Sequence, residues 1–90
     1  MEFEWDEEKR TRILADRGLD FVAARLFFDG RPTLDQASPR YGEERLKTTA
    51  DIHGALLTLV WCRRGDNIRV ITMRRAHEKE VRAYRQVHGS

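Results

Sequence analysis

The chain is short of most things that simplify a sequence reading. It has one cysteine, Cys62, which excludes an internal disulfide framework and any site built on several thiolates. Its longest apolar stretch runs from Ala55 to Val60, far below the roughly 20 residues needed to span a bilayer. Glu2, Glu4 and Asp6 follow Met1, the wrong charge for a signal peptide. The expectation is a reduced, cytoplasmic protein with no membrane partner. His53, His77 and His88 are scattered, no HExxH or Cys/His cluster occurs, and Gly65 alone does not make a phosphate loop, so neither a metal nor a cofactor is expected. There are only 2 prolines, Pro32 and Pro39, both in the least patterned stretch, 31–43.

Charge is what the chain has in quantity. Charged residues make up 36% of its 90 residues, against about 25% in an ordinary globular protein. The formal net charge is only +2, but its distribution is uneven. Residues 1–62 carry 9 Lys/Arg and 12 Asp/Glu, a net of −3, while residues 63–90 carry 8 and 3, a net of +5. Seven of those eight late cations are arginines: Arg63, Arg64, Arg69, Arg74, Arg75, Arg82 and Arg85. Guanidinium groups clamp phosphate bidentately, so this third reads as a polyanion-binding face. The competing reading is a solvated surface with i,i+4 pairs such as Glu78–Arg82.

The length suits one domain, 1–90, of the α+β class. Glu2 to Trp5 alternates as a short strand. Asp6 caps a helix that stops at Gly18, and Asp20 caps a short apolar helix from Phe21 to about Phe28. An edge strand is expected around Thr33–Asp35. Leu46 to Ile52 alternates apolar and polar residues, with Arg45, Lys47, Thr49 and Asp51 on a charged outer face. Ala55–Arg64 is a central strand and Ile68 to about Arg74 the next, giving an antiparallel sheet of about three to four strands. The last helix is expected from about Arg75 to His88, with Ala76, Glu80, Ala83, Tyr84 and Val87 on its inner stripe. Glu80 on that stripe requires a partner, and Arg69 and Arg74 are the nearest cations in sequence. A regular strand sends those two arginines to opposite faces.

Ser38 and Ser90 lie in poor settings for nucleophiles, and Cys62 reads as a small buried hydrophobe. His53, at a predicted hairpin tip, is the side-chain type that titrates near neutral pH, although a histidine there is more often a turn residue. Tyr84 reads as a core or rim aromatic, or as a proton-transfer group.

Several segments, taken in order, resemble the BrnT-type toxins. They are Phe3-x-Trp5-Asp6-x-x-Lys9, Gly18-x-x-Phe21-x-x-Ala24, Phe27-x-Asp29, Tyr41-Gly42-Glu43-x-Arg45, the Gly54 turn, and Arg63-x-Gly65-x-x-Ile68-Arg69-Val70-Ile71-x-x-Arg74-x-Ala76-x-x-x-Glu80-x-x-x-Tyr84. The resemblance implies a small RelE-like fold and the toxin of a bacterial type II toxin–antitoxin module. Its implied activity is metal-independent cleavage of RNA. Its implied partner is a cognate antitoxin, which silences it and through which alone operator DNA is met. Similarity directs attention to Arg45, Arg63, Arg69, Arg74, Glu80 and Tyr84. Members commonly carry Asn near Ile13 and a Lys-His pair near Asp16-Arg17, and Ser-Ala where Thr72-Met73 stands, so this chain departs there.

RNA cleavage without metal requires a base, an acid and cations around the phosphorane. Arg63, Arg69 or Arg74 is expected to stabilise the scissile phosphate, Glu80 to orient one of these guanidiniums, and Tyr84 or His53 to move protons. Arg45, Lys47, Arg64 and Arg75 are expected to bind RNA, and the active face to meet an acidic or amphipathic antitoxin segment. The alternative is a non-catalytic nucleic-acid-binding module, or a degenerate toxin acting through its protein partner. A third reading is a purely structural partner protein.

Overall fold

The computed structural model describes residues 1–40 and 42–89; Tyr41 and Ser90 lie outside them. The order of elements is β1 (Phe3–Glu4), α1 (Glu7–Arg17), a 3₁₀ helix (Phe21–Phe28), β2 (Thr33–Ala37), β3 (Leu46–Ile52), β4 (Ala55–Arg64), β5 (Asn67–Arg75) and α2 (Glu78–His88). The α+β class holds. The sheet differs from the expected antiparallel one of three to four strands. Five strands lie in the order β1-β5-β4-β3-β2, and β1 runs parallel to β5. A two-residue pairing, Phe3 with Ile68 and Glu4 with Arg69, is too short for alternation to reveal its partner.

Local signals place the helices. The Asp6 carboxylate accepts from the N–H groups of Glu8 and Lys9, and Gly18 closes α1 at φ 69° with its N–H on the Leu14 carbonyl. The segment after Asp20 is 3₁₀ rather than α, and it buries Phe21, Ala24 and Phe27 against β3 and β5. Those side chains meet Ile13 of α1 and the inward residues of the sheet, among them Ala50, Leu57, Leu59, Trp61, Ile68, Val70 and Met73, to form the core.

The last strand and helix divide later than expected. β5 continues through Arg75, and the Ala76 N–H still reaches the Leu56 carbonyl at 3.0 Å, so α2 begins only at Glu78. Val87, placed on the inner stripe by periodicity, is 62% exposed. His88 makes the closing contact instead, its ring 4.8 Å from Tyr84 and its Nε2 2.7 Å from the Thr33 carbonyl oxygen.

Two features of the outer sheet face, the one away from the core, position the site. First, α2 packs over β2 and β3, so Lys47 and Thr49 lie under a helix instead of facing water as expected. Second, the β4–β5 ladder contains a bulge. Trp61 pairs with Val70 and Val60 with Thr72, leaving Ile71 as the extra residue. Arg69 pairs with Cys62 and Arg74 with Thr58, and those two β4 residues share a face. The bulge therefore brings Arg69 and Arg74 to the same face, correcting the expectation for a regular strand.

Candidate nucleic-acid interface

Glu80 anchors the outer face. It is 2% exposed, and its carboxylate accepts two hydrogen bonds from Arg74, Nη1 to Oε1 at 2.7 Å and Nη2 to Oε2 at 2.9 Å. Lys47 Nζ lies 2.9 Å from Oε2, Thr58 Oγ1 donates at 3.0 Å, and the His77 backbone N–H donates at 2.8 Å. Thr58 in turn shares a 2.9 Å hydrogen bond with the buried Thr49. Burial alone pushes the Glu80 carboxyl up. The Arg74 fork, the His77 amide, Lys47 and Thr58 together overcome that and hold it well below the usual carboxylate range. Of its two expected partners, Arg74 is correct. Arg69 instead faces Glu4 at 3.9 Å. Lys47 was missed, because a strand partner 33 residues away leaves no trace in local periodicity.

Beside this anchor lies a cleft of about 660 Å³ on the part of the outer face near α1. Val60, Ile71 and Thr72 contribute from the strands. Its cations are Lys9, Arg12 and Arg17 of α1, Arg40 of the β2–β3 loop, Arg45 and Arg74. Asp16 is its one carboxylate among the described residues. Arg17 crosses to β5, donating to the Met73 carbonyl at 2.9 Å and to Thr72 Oγ1 at 3.3 Å. β1 ends at Glu4, so this carbonyl lies on sheet edge that no strand covers, and the guanidinium satisfies it.

The cleft continues. An adjoining one of about 300 Å³ shares Lys9, Arg45 and Ile71 with it and adds Arg64 and Arg69. A third of about 600 Å³ shares Arg45 and carries Arg63 and Arg64. Arg45 lines all three, and its Nε is paired with Glu43 at 2.6 Å. Lys9 lies where the first two meet and makes no ion pair among the described residues. Burial pushes its ammonium below the ordinary lysine value, and the positive charges of Arg45, Arg12 and Arg17 push it further, against the opposing pull of Asp6.

The other sequence-predicted residues are dispersed. Arg63 pairs with Ile68, whose side chain is in the core, so it belongs to the opposite face from Arg74, 5.6 Å over the Trp61 ring. Tyr84 lines a groove of its own with Arg75, Arg85 and Asp51. His53 is at the β3–β4 hairpin tip with φ 54°, beside another groove that includes Gly18 and Arg75. Cys62 is buried as expected, and Arg82 makes only the solvent-exposed contact with Glu78, at 4.0 Å. Lys9, Arg12, Arg17 and Arg40 were not among the expected site residues, because they belong to the acidic part of the chain. Their one visible signal was that Lys9 stands in the resemblance and Arg17 at a departure from it.

The model of a family described as ribonuclease toxin, BrnT, of type II toxin–antitoxin system matches residues 5–80, from Trp5 through Glu80. No curated protein matches the chain.

Proposed function

The chain belongs to the BrnT family of type II toxin–antitoxin ribonuclease toxins, and on that premise we propose that it cleaves single-stranded RNA in the cleft between α1 and β5. The observation that carries this reading is the convergence of six cations on one cleft against a single carboxylate. In the proposed reaction the ribose 2′-oxygen, giving up its proton to a base in the cleft, attacks phosphorus, and the 5′-oxygen leaves, taking a proton from solvent water. The products are a 2′,3′-cyclic phosphate and a 5′-hydroxyl, and no metal takes part.

Arg74 is the cation for the phosphorane, and Glu80 is its positioning residue: two hydrogen bonds to one carboxylate fix the guanidinium plane. Lys9 takes the 2′-hydroxyl proton, since burial and three neighbouring arginines favour its neutral amine. Arg45 and Arg69 hold the phosphates that follow, and Arg63 and Arg64 the flanking strand. Lys47 stays with Glu80. Tyr84 and His53 line other grooves and take no part. The cognate antitoxin that the family implies neutralises the protein by laying an acidic segment along the same cations.

The test is cleavage of a single-stranded RNA in the presence of EDTA by the wild-type protein and Lys9→Arg. Cleavage with cyclic-phosphate ends is expected, its rate rising with pH as Lys9 loses its proton below the usual lysine value of 10.5. Lys9→Arg keeps the charge but cannot act as a base. It is expected to bind RNA as the wild type does while losing about 10²-fold or more in kcat. Intact RNA would refute the nuclease, and an undiminished Lys9→Arg rate would refute Lys9 as the base.

A further inference from the structure

We infer that Asp16 forms a nucleobase subsite in the cleft that takes guanine. The inference rests on the cleft being the RNA site, but not on any cleavage taking place there. Asp16 is the one carboxylate lining the cleft among the described residues, and six cations surround the same space. It makes no ion pair there. Arg12, one helical turn earlier, does not reach it, and Arg17 is turned toward Thr72 and the Met73 carbonyl. A carboxylate in a phosphate-binding cleft repels every phosphate, so its favourable contact with RNA must be with hydrogen-bond donors.

Single-stranded RNA offers such donors on the Watson–Crick edges of splayed bases. Guanine alone presents two adjacent N–H donors, N1 and the 2-amino group, at the spacing of the two carboxylate oxygens, giving the bidentate geometry that discriminates best. Adenine and cytosine offer one exocyclic amine next to an acceptor that a carboxylate repels, and uracil offers a single N–H. The rest of the cleft suits a base. Val60 and Ile71 are half-buried apolar surface for its face, and the Ile71 side chain is available because the bulge takes it out of the ladder. The hydroxyls of Ser38 and Thr72 lie in the same lining.

The experiment measures binding of 2′-O-methyl heptanucleotides, which cannot be cleaved, by fluorescence anisotropy. Each carries one guanine, inosine, adenine or cytosine in a uridine background. The wild-type protein is expected to bind the guanine strand at least about fivefold more tightly than the adenine or cytosine strand, the lower end for a good bidentate base contact. Inosine, lacking the 2-amino group, should fall between. Asp16→Ala should abolish the preference and also bind the all-uridine strand more tightly, because a negative charge leaves the cleft.

Equal affinity for all strands, or a guanine preference that survives Asp16→Ala, overturns the subsite. Asp16 is exposed on α1 with no partner to lose, so the variant folds, and circular dichroism checks that it has. Cleavage of ordinary RNA is read separately. Guanine-selective binding without cleavage would sink the nuclease and leave the subsite standing. Cleavage without base preference would do the reverse, and no binding of any strand would sink both.

Discussion

A carboxylate moved from water into a protein interior loses solvation worth several kcal/mol, and only charged or multiple hydrogen-bond donors restore it. Glu80 meets five such hydrogen bonds, two of them from Arg74. Its folded-state carboxyl therefore titrates below the ordinary value of 4.5. Because the shift is downward, the stability it contributes is present above pH 4.5 and is lost as pH falls toward the folded-state value. Glu80→Gln keeps the shape but leaves Arg74 and Lys47 without their counter-charge. It is expected to cost about 3 kcal/mol, at the low end for a broken buried pair because both cations are partly exposed. The variant should also lose RNA cleavage at temperatures where circular dichroism shows it folded. Unchanged melting and unchanged cleavage together would refute both the structural and the positioning role. The need for a partner is legible on one helical wheel, and Arg74 follows from its proximity in the chain. Lys47 is not legible there, because its strand is brought back to Glu80 only in three dimensions.

Turns and bulges decide matters at the scale of elements. The His53-Gly54 hairpin has both residues at positive φ, 54° and 89°, the geometry that suits a two-residue turn between twisted strands. A histidine side chain in that region is strained, with an αL cost of about 1–2 kcal/mol for an ordinary L-residue. His53→Gly is therefore expected to raise stability by about 0.5–1 kcal/mol, after allowing for the freedom glycine regains in the unfolded chain. The check is a urea melt. The variant should also cleave RNA at the wild-type rate, since this tip lies beside a different groove from Arg74. A slowed reaction would return His53 to the proton-transfer role expected from sequence. The bulge at Ile71 bears more on the proposed site, because it turns Arg69 to the same face as Arg74. Alternation predicted every strand of the meander but not this, since a single inserted residue leaves apolar runs looking continuous.

At the scale of the whole molecule, charge is sorted by folding, not by position in the chain. Sequence placed the positive surface in residues 63–90. Of the six cations lining the cleft, five come from residues 1–62, the segment with a net of −3, and Arg74 alone from the basic third. This has a measurable consequence in salt. The logarithm of the binding constant for single-stranded RNA falls with log salt concentration with a slope of about 0.7 per phosphate neutralised. Arg12→Ala or Arg40→Ala should reduce that slope by about 0.7, while Arg82→Ala, whose side chain is exposed on α2 away from the cleft, should leave it unchanged. Equal effects at all three positions would mean a diffuse surface field in place of a cleft, as expected for a general nucleic-acid binder.

The sequence by itself determined the α+β class, the limits of α1, β3 and β4, the capping at Asp6 and Gly18, and the requirement that Glu80 be paired. These follow from periodicity, capping chemistry and the cost of burying charge, all of which act within a few residues. Family membership was legible too, from an ordered set of short segments. The tertiary structure alone decided that β1 lies parallel beside β5, that α2 covers Lys47, and that Ile71 bulges. It also decided that α1 delivers Lys9, Arg12, Asp16 and Arg17 to the cleft of Arg74. Apart from the bulge, whose flanking pairs are 9 and 12 positions apart, such contacts join residues 30 to 70 positions apart in the chain, and their existence depends on how the sheet twists and closes against its helices, which no local pattern encodes.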